Sequence, residues 1–138
     1  MNVQAYLMFN GRTEEAIEFY KKAVGAEVTA LMRFRDMPEA PPPGMIPEGW
    51  DDKVMHSSFK VGDAEIMASD GCQSDDAGFK GISLALSVKT PEEAEVKFKA
   101  LSEGGEVTMP LAKTFFSPAF GTLTDRFGVS WMIVVSTN

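Results

Sequence analysis

Two hydrophobic periods follow one another along this chain, and the same succession occurs twice. The apolar run Val3–Phe9 leads into Asn10-Gly11-Arg12-Thr13-Glu14-Glu15-Ala16. Ala16, Ile17, Phe19, Tyr20, Ala23 and Val24 then recur at helical spacing as far as Gly25-Ala26-Glu27-Val28. Residues 81–109 repeat the order: Ile82–Val88, then Lys89-Thr90-Pro91-Glu92-Glu93-Ala94, then a face of Ala94, Phe98 and Leu101 closed by Gly104-Gly105-Glu106-Val107. The two copies lie about 78 positions apart. Each predicts a strand, a capped helix and a second strand. Thr13 and Thr90 are placed as N-caps with glutamates in the first turn, Pro91 suits the first helical position, and Gly25 and Gly104 supply the stops.

Strand signals continue after each helix. Glu27–Phe34 is followed by Val54–Val61 and Glu65–Ser69, which form a hairpin across Gly62-Asp63. In the second half Val107–Phe116, Phe120–Thr124 and Val129–Val135 do the same, the last two joined through Asp125-Arg126-Phe127-Gly128. The predicted fold class is α+β: two β-α-β-β-β modules forming concave mixed sheets around a central cavity. The first module takes residues 1–71, a linker 72–80, and the second module 81–138. One helix covers one face of such a sheet, so the other face is either buried against a second module or left as a lined hollow. Alternation then assigns the faces. Tyr6 and Met8 are set toward the helix, and Ala5, Leu7 and Phe9 toward the open side. Leu84, Leu86, Val88, Trp131, Ile133 and Val135 take the helix side of the second half. Ser83, Ala85, Ser87, Ser130, Met132 and Val134 take its open side. In the strand Val54–Val61, His56, Ser58 and Lys60 oppose Met55, Phe59 and Val61.

Composition narrows the partners. A formal charge of −7 with no basic run argues against a phosphate-backbone partner. No apolar stretch approaches the roughly 18 residues of a membrane span, and the chain opens almost directly into a strand without signal-peptide features. The expected location is the cytoplasm, without membrane or nucleic-acid partners. The single cysteine, Cys72, allows no internal disulfide and no thiolate cage. The segment 36–53 holds Pro38, Pro41, Pro42, Pro43 and Pro47, five of the eight prolines, with Met37, Met45 and Trp50. So long a proline-stiffened loop reads equally as a lid or as an arm packing on a partner subunit.

Strand-helix-strand-strand-strand, twice and with these caps, resembles the vicinal-oxygen-chelate superfamily of glyoxalase I, bleomycin-resistance proteins and dioxygenases. The resemblance spans the whole chain. Its PhnB-like branch is suggested by Ala5-Tyr6-Leu7-Met8-Phe9-Asn10-Gly11, Glu18-Phe19-Tyr20, Val54-Met55-His56, Ile66-Met67-Ala68-Ser69-Asp70 and Thr124-Asp125-Arg126-Phe127-Gly128-Val129-Ser130-Trp131-Met132-Ile133. That branch has no settled reaction, and its members carry labels of phosphonate metabolism and demethylubiquinone methyl transfer. No glycine-rich strand-to-helix loop is present to cradle a methyl-donor nucleotide. In the superfamily's metal enzymes, His and Glu ligands sit on the first, fourth, fifth and eighth strands. The matching positions here are Ala5, Met67, Ser83 and Met132, none of which supplies imidazole, carboxylate or thiolate. A register slip of one residue reverses every side chain and finds only Glu65.

The functional expectation is therefore a metal-free and cofactor-free small-molecule-binding protein or enzyme, working as a homodimer. The alternative is a metal-dependent lyase, isomerase or dioxygenase using His56 with Glu65 or Asp70. A pure interaction module with a collapsed hollow is a third reading. His56, the only histidine, is the candidate catalytic residue: a general base, or a donor to an anionic ligand. Its structural alternative is a half-buried ring satisfied by a backbone carbonyl. Candidate ligand-binding residues are Phe9, Trp50, Ser58, Asp70, Ser83, Phe116, Phe120 and Met132. Asp70 before Gly71 also reads as a turn residue, as does Asp125. The aromatic residues, with Phe115 beside them, read as a wall for a flat ligand or as ordinary core.

Overall fold

The computed structural model describes residues 1–39, 44, 46–71 and 78–136. Pro41, Pro42, Pro43 and Met45 of the proline-rich segment, and Cys72 with linker positions 73–77, lie outside the described residues. The chain divides into two compact units, Met1–Ala77 and Gly78–Asn138.

The first unit contains β1 (Tyr6–Met8), α1 (Thr13–Val24), β2 (Glu27–Arg33), a 3₁₀ turn (Phe34–Asp36), β3 (Val54–Val61) and β4 (Ala64–Ser69). Its sheet runs β1-β4-β3-β2, with β1 parallel to β4 and the other pairs antiparallel. The second unit contains β5 (Ser83–Val88), α2 (Pro91–Ser102), β6 (Glu106–Ala112), β7 (Phe120–Thr124) and β8 (Ser130–Val135). Its sheet runs β5-β8-β7-β6 with the same pattern of directions. The internal repeat is thus a repeat of topology, and the fold is α+β, the described residues forming two helices on two four-stranded mixed sheets.

Helix ends follow their local chemistry in α2 but not in α1. The Thr90 hydroxyl accepts from the Glu93 N–H at 3.1 Å, and Pro91 opens the helix. Thr13 was expected to play that part for α1, yet the helix begins on it, after Arg12, and no side-chain cap from Arg12 is formed. The Thr13 N–H instead donates to Asp70 Oδ1 at 2.8 Å. The Thr13 hydroxyl is buried without a partner. Tertiary contact has replaced the local cap. At the other end Gly25 takes the left-handed conformation, φ 70°, as predicted.

Each helix packs its apolar stripe on one sheet face. In the first unit Tyr20 stacks on Phe59 at 6.0 Å between ring centroids, with Ile17, Ala16, Ile66 and Ala68 around them. Full burial of each such large side chain is worth about 1.5–3 kcal/mol. The orientation of β1 reverses the expected one. Leu7 and Phe9 are 6% and 5% exposed, and the Phe9 ring lies 6.3 Å from Tyr20 on the helix side. Tyr6 and Met8 are 40% and 49% exposed on the other. The apolar run Val3–Phe9 carries no clear alternation, so its facing is set by pairing with β4, where Leu7 meets the fully buried Ala68.

In the second unit Trp131, Ile133, Val135 and Leu123 pack with Phe98, Leu101 and Ala94 of α2, on the side expected for them. β6 ends at Ala112, short of the expected Phe116, and residues 113–119 form a loop. Gly121 makes the close packing possible: a Cβ there would stand 2.8 Å from the Phe98 ring and 2.9 Å from the Leu111 backbone. Gly121→Ala should therefore cost roughly 1–3 kcal/mol of unfolding free energy in urea titration, because the strand backbone cannot yield as a side chain can. An unchanged midpoint would show that β6 shifts freely.

Candidate functional site

The face of the first sheet that α1 leaves uncovered is built by register. Tyr6 pairs with Met67, Met67 with Ser58, and Ser58 with Ala30, so these four share a row across all four strands. Met32 pairs with His56 in the neighbouring position. The side chains of β1 and β3 meet over β4: the Tyr6 hydroxyl lies 2.9 Å from His56 Nδ1, with ring centroids 5.7 Å apart. His56 is half-buried, and Ser58 beside it is 7% exposed. The partner of His56 is thus a phenol from another strand, not the backbone carbonyl considered above.

This couple has two proton arrangements. With the Tyr6 O–H donating to Nδ1, the neutral ring carries its proton on Nε2. With Nδ1–H donating to Tyr6 Oη, Nε2 becomes a base and the phenolic proton is free to point elsewhere. Either way Tyr6 holds the ring through Nδ1 and leaves Nε2 as the nitrogen it does not engage.

The remaining candidates are placed as follows. Phe9 is in the helix-side core and leaves the site. Trp50 lies over Gly11 and 6.4 Å from the Phe34 ring, at the base of the proline-rich segment. Asp70, 1% exposed, does not reach toward His56: its Oδ1 accepts from the Thr13 N–H at 2.8 Å and its Oδ2 from the Val54 N–H at 2.7 Å. Asp125 is likewise buried, accepting from the Phe127 and Val129 N–H groups and from Trp131 Nε1. In the second unit Ser83 and Met132 lie on the uncovered sheet face, in register with Ser130 and Ala85 respectively. Phe120 shares that face with Val134, and Phe116 stands on Phe120. Tyr6 is not among the sequence-derived candidates because alternation alone sets it toward the helix, whereas pairing with β4 puts it on the open face.

A second feature of the first unit is a pocket of about 270 Å³ at the start of α1, lined by Gly11, Glu14, Arg33, Asp52, Lys53, Val54 and Asp70. Its charged side chains are already engaged. Arg33 donates to both Glu14 oxygens at 3.1 and 2.6 Å and to the Asp52 carbonyl, Lys53 donates to the Gly11 carbonyl, and Arg35 pairs with Asp52. These bonds clamp the roots of the proline-rich segment to α1.

The 3-demethylubiquinone-9 3-methyltransferase family matches residues 1–134. The chain belongs to that family. Protein YjdN of Escherichia coli is 33% identical over 98% of this chain and 95% of its own length. Among solved structures, protein PA1353 of Pseudomonas aeruginosa is 42% identical, covers 99% of this chain and 98% of its own, and superposes with a TM-score of 0.85. A Bacillus cereus PhnB protein, described as a putative 3-demethylubiquinone-9 3-methyltransferase, is 29% identical with a TM-score of 0.81, over 99% of this chain and 100% of its own. A glyoxalase-related enzyme of Fulvimarina pelagi (15% identity, TM-score 0.63) covers 99% of this chain and 88% of its own. The fosfomycin resistance protein FosX of Listeria monocytogenes (11%, 0.63) covers 99% and 93%. Both share the fold alone. The family is therefore PhnB-like, and its fold is that of the glyoxalase-related and fosfomycin resistance proteins.

At the strand positions that the sequence resemblance assigns to metal ligands, this chain offers other side chains. With β1 turned, Tyr6 rather than Ala5 stands beside Met67, and β5 and β8 offer Ser83 and Met132. Among the described residues no three His, Cys, Asp or Glu side chains converge to hold a metal ion. The donor set does not fit Zn²⁺, Ni²⁺, Fe²⁺ or Mn²⁺. No helix is long and apolar enough to cross a membrane among the described residues.

Two outcomes follow from the buried and clamped carboxylates. Asp70→Ala strands two backbone donors, and at about 1–3 kcal/mol for each it should cost roughly 2–6 kcal/mol in urea unfolding. A loss below 1 kcal/mol would mean that water replaces the carboxylate. Glu14 is held below its ordinary value, chiefly by the hydrogen bonds from Arg33 and then by the charges of Arg33 and Lys53. A depressed carboxyl stabilises the fold above its unfolded-state value and loses that contribution as pH falls through the lowered one. The stability difference between wild type and Glu14→Gln should accordingly shrink on acidification across that interval. A difference independent of pH would contradict the pairing.

Proposed function

We propose that this protein binds a small organic ligand on the uncovered face of its first sheet, without a metal or cofactor, and that His56 is the polar anchor and proton-transfer group. The carrying observation is the Tyr6–His56 hydrogen bond on a sheet face that no helix covers. Met8, Met32 and Met67 flank the couple on that face, and flexible polarisable thioethers adapt to varied apolar bodies. Protonated His56 presents an N–H to a carboxylate, phenolate or carbonyl oxygen, while the neutral Nδ1–H form accepts a proton at Nε2. The reaction is unassigned, and the expected setting is cytoplasmic.

Methyl transfer, named in the family description, is not favoured by the loops. The β1–α1 connection has one glycine, Gly11, and the β5–α2 connection, Lys89-Thr90, has none. Neither makes the glycine-rich turn into a helix that holds a nucleotide-type methyl donor.

We also propose a homodimer. β2 and β6 are edge strands exposed at all but one position each, carrying Val28, Leu31 and Met32 on the first and Val107 and Met109 on the second. Long apolar edges are ordinarily covered by a partner. Sedimentation at micromolar concentration should give about twice the 15.0 kDa chain mass. A mass of one chain would remove the proposal.

The anchor is tested with benzoate and its neutral counterpart benzamide, followed by NMR of the His56 and Tyr6 rings. Benzoate should shift both, and His56→Gln should weaken it about ten- to hundredfold, the span expected for a hydrogen bond to a charged group. Benzamide should be affected less. Unchanged benzoate affinity with a large stability loss would make His56 a structural strut.

A further inference from the structure

We infer that His56 Nε2 and the thioethers of Met32 and Met67 form a binding site for a soft monovalent metal ion, Cu(I). The inference does not rest on the organic-ligand reading: that ligand needs no metal, and the ion is a second, separate occupant of the same ring.

The register of the first sheet brings the three donors together. Met32 is paired directly with His56 across β2 and β3. Met67 of β4 is paired with Ser58, two residues along β3 from His56 and on the same face. Directly opposed side chains have Cβ atoms about 4.5–5.5 Å apart, and diagonal neighbours lie about 7–8 Å apart, within reach of long side chains. One sulfur therefore stands on each side of the imidazole. Neither is consumed by core packing: Met32 is 39% exposed, and Met67 is half-buried on the sheet face that α1 does not cover.

The ring is prepared for coordination. Tyr6 Oη lies 2.9 Å from Nδ1, and the tautomer in which Nδ1–H donates to that oxygen leaves the Nε2 lone pair for an ion. An outer hydrogen bond of this kind fixes ring and tautomer in metal-binding histidines generally. Tyr6 is thus a positioning residue and touches no ion itself.

The donor set selects the ion. Thioether sulfur is soft and neutral and suits Cu(I), whereas Zn²⁺ takes thiolate, imidazole or carboxylate and Mn²⁺ takes oxygen. Charge points the same way. Tyr6, Ser58, Met32 and Met67 adjoin His56 in register and none is a carboxylate, while Lys60 and Glu65 stand opposite each other further along β3 and β4. A divalent ion would bring two uncompensated charges to a half-buried site, a monovalent ion only one. Binding forms one N–Cu and two S–Cu dative bonds. All three donors are neutral, so the neutral ring releases no proton and the copper stays Cu(I).

The test uses the full chain carrying Cys72→Ser, so that its single thiol does not take the ion. Silver nitrate in chloride-free buffer supplies Ag(I) as a redox-inert probe beside anaerobic Cu(I). One equivalent of Ag(I) should shift the methyl signals of Met32 and Met67 and the Nε2 signal of His56 in NMR. The exposed Met1 and Met109, which have no histidine in register, should not move. Cu(I) competition against a chromophoric chelator should give the same stoichiometry, and Zn²⁺ should not bind in that range. Met32→Leu/Met67→Leu, a volume-conserving change, and His56→Gln should each abolish the one-to-one site. Tyr6→Phe should weaken it about 10- to 100-fold, the cost of an outer-shell partner, and move the Nδ1 signal. Shifts spread evenly over the methionines, or Zn²⁺ bound as tightly as Cu(I), would overturn the inference. So would unchanged Ag(I) affinity in the folded thioether variant, which decides the matter if His56→Gln does not fold. If benzoate binds and neither ion does, the organic-ligand reading stands and the metal site falls. If the ions bind and benzoate does not, the reverse holds.

Discussion

The carboxylate of Asp70 holds the first unit's corner together. Its two oxygens take the N–H groups that begin α1 and β3, while its own N–H returns to the Val54 carbonyl at 2.9 Å. One side chain at the end of β4 therefore fixes where the helix starts, where the adjacent strand starts, and how the ends of β3 and β4 meet. Next to it the Ser69 hydroxyl donates to the Met55 carbonyl and accepts from Gly71 N–H. Backbone groups taken out of water must find partners, and here they find them in a buried side-chain carboxyl rather than in a local cap. The second unit meets the same need with a neutral group, Ser117, between the starts of β7 and the end of β8. The topology is duplicated, and the chemistry of the corner is not.

With the corner fixed, each unit places one helix on one sheet, and a twelve-residue helix covers only one face. The uncovered faces hold the functional candidates because polar and reactive groups are tolerated there. His56 and Tyr6 occupy the first, and the hydroxyls and aromatic rings occupy the second. The two faces differ. The first is rich in thioethers around a single imidazole, while the second grades from phenyl rings to hydroxyls. Such a contrast gives the two faces different recognition chemistry. It also shows how a fold shared at 11–15% identity with a fosfomycin resistance protein and a glyoxalase-related enzyme can be kept while the side chains on its open faces change.

The sequence alone determined what depends on near neighbours. The duplicated strand-helix-strand order, the α2 cap at Thr90, the left-handed stop at Gly25 and the alternation in β3, β5 and β8 are all set by residues a few positions apart. The family resemblance was legible for the same reason: it needs only residue identity and order. Tertiary structure decided the rest. Leu7 and Phe9 turned inward because β1 pairs with β4, 61 positions away, and a three-residue strand of uniformly apolar neighbours has no facing of its own. Thr13 lost its capping role to a carboxylate 57 positions distant, and the tyrosine that orients His56 comes from a strand 50 positions away. Pairing free energies between such remote groups leave no periodic trace in the sequence, since chain folding alone brings them within a hydrogen bond's reach.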